Sequence, residues 1–295
     1  DTTFSIALYR DFNSPTPPRR TLFDPTTATG FPAGWKLASE RAPNYSDDMN
    51  VVFFGIREIP RRPATAAGGR AAAALTAGAP GNGGTINQAR AGGAAGDEVS
   101  LILWHAKDDR LQSQQMVQEN ADRNFNYLSA YRFDDRRFVR LADSALRSVT
   151  ITTGDKYAYG TDNRAYQQAA SYSGRNYVDL YSVDVRTGAR KLIAKKKPGG
   201  GGMSASPDGS KLLYWGTDGH YWVMNLATLD SVNITKSVPA SFVDKENDYN
   251  NIFPPAIGAR GWSKDGKYVV LYDNWDLWKV PVNPGREPAV NLTVD

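Results

Sequence analysis

The sequence predicts an all-β fold, a β-propeller of about four four-stranded antiparallel blades plus a half blade. Three observations predict it. First, a short polar turn opens a strand of aromatic and β-branched residues four times. The clear copies are Ser206-Pro207-Asp208-Gly209-Ser210-Lys211-Leu212-Leu213-Tyr214 and Ser263-Lys264-Asp265-Gly266-Lys267-Tyr268-Val269-Val270. The weaker ones are Thr153-Gly154-Asp155-Lys156-Tyr157 and Ser46-Asp47-Asp48-Met49-Asn50-Val51-Val52. Second, aligning Asp155, Asp208 and Asp265 gives spacings of 53 and 57, and a period of about 40–60 residues filled with strands suits propeller blades. Third, 15 Tyr, 7 Trp and 11 Phe among 295 residues make an aromatic load that strands favour.

Taken in order, residues 4–23 read as a hairpin: Phe4–Tyr9 alternates, Asn13–Pro18 turns, and Arg20–Phe23 returns. These are the outer strands of a partial blade. A first full blade spans 35–142, from Trp35–Ala38 through the Asp48 turn into Val51–Phe54. Residues 64–96, almost wholly Ala, Gly, Thr, Pro and Asn, interrupt it; they carry too little apolar bulk to offset their ordering entropy. Val99–His105 reads as a strand that resumes the blade. Residues 111–124, Gln-, Glu- and Asp-rich without Gly or Pro, read as a short helix. The hairpin Tyr127–Phe133 and Phe138–Leu141 completes the blade. Three more blades follow at 146–195, 199–236 and 255–293, each a four-stranded meander with turn chemistry in its gaps. Such a count leaves open blade edges, which need a cover, so the chain reads as one β domain, part of a larger propeller or closed by another element.

Composition limits function. Net charge is +4, from 35 basic and 31 acidic residues, too mild and too spread to suggest nucleic acid. No cysteine is present, which excludes disulfides, thiolate metal sites and a cysteine nucleophile. No apolar run approaches the roughly 20 residues that span a bilayer. Gly199–Gly202 reads as an inter-blade link, since no Lys-Ser or Lys-Thr opens a helix after it. Lys195-Lys196-Lys197 reads as solvated charge that discourages edge pairing. Asp244–Asn251 holds many oxygens but lacks the glycine and terminal glutamate of a calcium loop, and Glu119 and Asp122 read as solvated helix carboxylates. Asn44-Tyr45-Ser46, Asn233-Ile234-Thr235 and Asn291-Leu292-Thr293 match a glycosylation pattern that is common by chance. His105 and His220, the two histidines, are expected in strands.

Several residues carry a family likeness. The Ser-Pro-Asp-Gly-x-Lys turn, with Asp179-Leu180-Tyr181 and Asp276-Leu277-Trp278, resembles the PD40-type repeat of TolB-like propellers. Leu103-Trp104-His105-Ala106-Lys107-Asp108-Asp109-Arg110-Leu111-Gln112-Ser113-Gln114-Gln115, with Arg123–Leu128, resembles the propeller of bacterial S9-family (prolyl oligopeptidase-like) peptidases. The likeness covers residues 35–292. In that family the propeller gates or shapes access to a separate α/β-hydrolase domain bearing a Gly-x-Ser-x-Gly elbow. Gly261-Trp262-Ser263-Lys264-Asp265 and Gly202-Met203-Ser204-Ala205-Ser206 each lack the second glycine, so no catalytic, cofactor-binding or metal-ligating residue is assigned. Two functions are expected. One is a non-catalytic module making protein–protein contacts through 64–96 and the open blade edges, as an accessory subunit of an assembly that alone brings it to a membrane. The other is the substrate gate of an S9-type peptidase whose hydrolase domain lies elsewhere. The resemblance places either in the periplasm or outside a bacterial cell.

Overall fold

The computed structural model describes residues 3–10, 17–59, 104–105, 107–199, 202–248 and 252–293. A hairpin of β1 (Ile6–Arg10) and β2 (Arg19–Phe23) comes first. The first large sheet holds β3 (Trp35–Leu37), β4 (Asn44–Tyr45), β5 (Val51–Glu58), β6 (Tyr127–Arg132) and β7 (Arg137–Arg140), with α1 (Gln112–Arg123) between β5 and β6. The second holds β8 (Ser148–Ile151), β9 (Tyr157–Asp162), β10 (Tyr177–Asp184) and β11 (Arg190–Pro198), with a 3-10 turn at Arg164–Tyr166 and α2 (Gln167–Ser173) between β9 and β10. The third holds β12 (Ser204–Ala205), β13 (Lys211–Trp215), β14 (Tyr221–Asn225) and β15 (Ser231–Asn233), and the fourth β16 (Ala259–Trp262), β17 (Tyr268–Tyr272), β18 (Leu277–Pro281) and β19 (Val290–Asn291). The last three sheets are antiparallel meanders in chain order, so the protein is mostly β and built of propeller-type blades.

The expected strand at 99–105 lies mostly outside the described residues. Residues 64–96 and 99–103 lie outside the described residues, and Trp104 and His105 are not in a strand. Strand β5 instead pairs directly with β6, from Val51 opposite Arg132 to Ile56 opposite Tyr127, so the sheet needs no strand from that stretch. The 111–124 helix is present as α1. Helix α2 had no counterpart in the sequence reading: Gln167-Gln168-Ala169-Ala170 has helical propensity but is too short to show periodicity.

Side-chain alternation stacks the sheets face to face. Val52, Phe54 and Ile56 of β5 pack with Ile6, Leu8 and Phe23 of the hairpin. Their neighbours Val51 and Phe53 face the other way, onto Ala158, Val183 and Val185 of the second sheet. Leu180 then meets Leu212, Tyr214 and Met224 of the third sheet. Leu213, Trp215, Tyr221 and Val223 turn to Val269, Leu271 and Val280 of the fourth. The inner strands are therefore covered on both faces, which is why Leu212-Leu213-Tyr214-Trp215 reads as an unbroken apolar run. Each fully buried Leu or Phe contributes about 1.5–3 kcal/mol of burial.

The repeated turn is one hydrogen-bonded device. The hydroxyls of Ser46, Ser206 and Ser263 accept the N–H of Val51, Lys211 and Tyr268 at 2.8, 3.0 and 3.0 Å. They donate to Asp48, Asp208 and Asp265 at 2.6, 2.5 and 2.6 Å. The next residue has positive φ: Met49 at 56°, Gly209 at 67° and Gly266 at 64°. The second sheet corrects the sequence alignment by one position. Thr152 takes the place of the serine, Gly154 that of the aspartate, and Asp155, with φ 58°, that of the glycine. Measured from the hydroxyl residue, the intervals from Thr152 to Ser206 to Ser263 become 54 and 57.

Candidate functional site

Antiparallel meanders send their connections to two opposite ends. The serine–aspartate turns lie at one end, and they abut one another along the row. Gly209 lies against the Thr153 carbonyl, Gly266 faces Pro207 and Ser206, and Asp155 is pushed up by burial and by the Asp47 and Asp48 carboxylates. This end spends its polar groups on itself. At the other end lie the connections that carry α1 and α2, the loops 216–220 and 273–276, and the link 236–258.

The strand ends below that loop face are held by a second repeated device. In the third sheet, Tyr221 N–H donates to Thr235 Oγ1 at 3.0 Å and His220 Nδ1 lies 3.1 Å from the same oxygen. In the fourth, Leu277 N–H donates to Thr293 Oγ1 at 3.2 Å, and that hydroxyl donates to Asp276 at 2.6 Å. Asn233 and Asn291 accept the N–H of Thr235 and Thr293 at 3.0 and 2.9 Å. Two of the three glycosylation-like triplets are thus strand-end latches. His220 stands in the place of Asp276 and precedes β14, while His105 lies in an exposed turn, accepting the Lys107 N–H at its Nδ1. Neither histidine is in a strand, because each closes a turn. In the second sheet Asp179 does the latching, accepting Lys196 N–H at 2.9 Å and the Tyr166 hydroxyl at 2.6 Å, which pushes Tyr166 up to about 12.

The lysine run is also partly corrected. Lys195 and Lys196 are exposed, but Lys197 is 8% exposed, with Nζ 3.7 Å above the Tyr214 ring. Burial brings its ammonium down to about 8, against the opposing pull of Asp218. The serines of the two elbow-like sequences are engaged structurally, Ser263 in its turn and Ser204 as acceptor of Trp262 Nε1–H at 3.0 Å. Of Gly199–Gly202, residues 200 and 201 are outside the described set; of Asp244–Asn251, residues 249–251 are, and Asp244 accepts the Glu246 N–H at 3.1 Å. Among the described residues no group of three His, Cys, Asp or Glu could hold a metal ion, and no helix is long and apolar enough to cross a membrane.

On the loop face α1 buries no residue and leans on α2, where the Ser171 hydroxyl lies 3.0 Å from Gln114 Oε1. The base of α2 is tied down by Arg164, which donates to Asp162, Ser144 O and Ala145 O. Its C-terminus closes on Gly174 at φ 69°. Contacts continue across the face as edge-to-face pairs, Tyr166 on Tyr177 at 6.1 Å and Tyr177 on Phe253 at 5.6 Å. Between the two helices lies a cleft of about 480 Å³. The loop-end connections also expose Met116 (62%), Val117 (84%), Tyr172 (61%), Ile252 (56%) and Trp275 (83%). Sequence reasoning missed this face; the signal available was isolated apolar residues in otherwise polar loops.

The fold and its face define a propeller-type protein with one elaborated loop face. No protein-family model matches the chain, and no curated protein does. Among solved structures it is distantly similar to TolB from Acinetobacter baumannii, with 18% identity over 58% of this chain and 38% of that one, at a TM-score of 0.33. A putative TolB from Agrobacterium tumefaciens matches with 11% identity over 86% and 62%, at 0.35. An oligogalacturonate lyase in complex with manganese matches with 12% identity over 58% and 48%, also at 0.35. The chain spans between 38% and 62% of the length of these structures.

Proposed function

We propose that this chain is a non-catalytic propeller module that docks a protein partner on its loop face, as an accessory or scaffold subunit of a larger assembly. The observation that supports it is the set of exposed apolar side chains on that face, Met116, Val117, Tyr172, Ile252 and Trp275, set against an opposite end whose polar groups pair with each other. Apolar groups gathered on one polar-rimmed face are the usual mark of a contact surface, and a standard interface buries on the order of 1,200–2,000 Å². Trp275, 83% exposed, fits the role of an anchor, since Trp leads the residue types that dominate interface energetics.

Affinity capture from the native source tests it, with the wild-type chain and a Val117→Ser/Trp275→Ser variant side by side. Stoichiometric partners held by the wild type and released by the variant are the expected outcome; equal capture by both would end the docking reading. A second reading keeps the chain as the substrate gate of an S9-type serine peptidase. It is favoured by the 103–128 stretch, whose helix α1 forms one wall of the cleft. It predicts a heavier parent polypeptide that a serine-hydrolase probe labels.

A further inference from the structure

The lining of the α1–α2 cleft is chemically narrower than a general contact surface. Gln114, Gln118, Asn163, Gln167 and Asn176 bring carboxamides to its lining, Ser113 and Ser171 hydroxyls, and Val117, Ala170 and Gly174 small apolar surface between them. Among the described residues its one charged side chain, Arg110, is committed to Asp122 at 2.7 Å and to Gln118, and no carboxylate lines the space. Some of the amide capacity is used within the walls. Gln118 Oε1 accepts from Arg110, Gln114 Oε1 accepts from Ser171, and Asn163 Oδ1 accepts from Gln167 Nε2 at 3.2 Å. The amide NH₂ groups of Gln114, Gln118 and Asn163, the side-chain carbonyl of Gln167 and the whole side-chain amide of Asn176 are left without protein partners among the described residues.

A neutral floor with interspersed donors and acceptors matches a ligand of the same kind. The extended peptide main chain is that ligand, with one N–H and one C=O per residue at a rise of about 3.3 Å. We infer that the α1–α2 cleft binds an extended, uncharged peptide segment through its main chain. A phosphate group would need a free cation, and Arg110 is already neutralised. A metal ion would need carboxylate oxygens, which the lining lacks. An apolar ligand would cover the amides without pairing them. A sugar ring would want an aromatic face, and among the described residues no aromatic side chain lines the cleft. The volume falls within the roughly 300–1,000 Å³ usual for small-ligand sites. This inference deepens the docking reading, on which it rests, by giving the partner an extended segment that threads between the helices.

The experiment is isothermal titration of the full chain with N-acetylated, C-amidated hexapeptides of Ser, Thr, Ala, Asn and Gly. Acidic and basic analogues, maltohexaose and cellohexaose are titrated in parallel. The uncharged peptides are expected to bind, with the acidic and basic analogues no tighter. Asn163→Ala with Gln167→Ala should weaken binding about tenfold, which is about 1.4 kcal/mol. Asn163→Asp, which keeps an acceptor for Gln167 but puts an anionic oxygen where the free donor was, should weaken it comparably, and Lys264→Ala, exposed in a turn at the opposite end, should leave it unchanged. No binding of any peptide near about 1 mM, a range where affinity amounts to only about 4 kcal/mol, would overturn the inference. So would peptide binding insensitive to both cleft changes, or an Asn163→Asp-sensitive preference for either sugar. Partner capture that survives the cleft variants would remove this inference and leave the docking reading standing. Peptide binding without partner capture would do the reverse.

Discussion

Gly209 and Thr153 meet so closely that a Cβ built on the glycine would stand 1.8 Å from the threonine carbonyl oxygen. The contact joins the turn of the third sheet to that of the second, and it explains why this position is glycine beyond its φ of 67°.

Gly209→Ala carries two costs, a side chain in the left-handed region and a backbone collision that no rotamer relieves. Each is worth about 1–3 kcal/mol. Gly30, at φ 85° with nothing within 4 Å of a built Cβ, is the control. Urea unfolding should show Gly209→Ala losing about 2–6 kcal/mol and Gly30→Ala clearly less. Equal losses would show that the inter-turn contact contributes nothing.

Lys197 gives the fold a specific pH dependence. Unfolded, the lysine keeps its proton up to about 10.5; folded, burial makes it release the proton at about 8. Between those values the unfolded chain binds more protons, so stability rises with pH across that window. Below it both states are charged, and the full cost of burying the ammonium applies, offset in part by the Tyr214 ring face. Lys197→Met should therefore be more stable than wild type at pH 7, by about 1–3 kcal/mol. The difference should shrink as pH rises from about 8 to 10.5. A gap independent of pH would disprove the assignment.

Ser206 holds down the acidity of its turn. Hydrogen bonds from Ser206 and Ser210 bring Asp208 down to about 2, so their stabilisation is present above the ordinary carboxylate range and lost as pH falls through about 2. In Ser206→Ala the part-buried Lys211 N–H loses its acceptor, at about 1–2 kcal/mol. Carboxyl-carbon NMR should show Asp208 titrating higher in the variant, though still below the ordinary value because Ser210 remains. An unmoved Asp208 would mean that the Ser206 bond does not form in solution.

The latch threonines should respond to chemistry more than to shape. Thr235→Val keeps the volume of a buried side chain but leaves the Tyr221 N–H unpaired, so a loss of about 1–3 kcal/mol is expected. Thr235→Ser keeps the oxygen and should recover most of it. Thr293, the exposed counterpart, should lose less when changed to Val, because water can take its place. Comparing the three urea midpoints checks this; Val and Ser variants of Thr235 that match would rule the latch out.

The fold was legible because its signals are local. Ser206 and Ser263 each bring aspartate, glycine and an aromatic strand within ten residues, so turn and strand are read together. The second sheet's copy was read one position off, because Thr152 and Asp155 satisfy the same geometry with different atoms, and composition does not reveal which residue carries the positive φ. Burial of Lys197 was hidden for a related reason: a lysine triplet looks solvated until Tyr214, seventeen positions on, is known to lie beneath its third member. The cleft could not be read at all. Gln114, Asn163 and Asn176 come from two separate insertions that converge only when neighbouring sheets stack, and single amides in loops carry no spacing rule.

One end of the molecule is uniform and the other varied, and this decides where the protein can change. A turn braced against the next turn tolerates neither extra length nor a larger residue, so alteration there would travel along the whole row. The connections at the far end hang from strands whose ends are already fastened by Thr235, Thr293 and Asp179. Segments as different as a five-residue loop and a helix can replace one another there without reaching the core. New binding properties can thus be acquired by exchanging loops, while the scaffold that presents them is inherited intact.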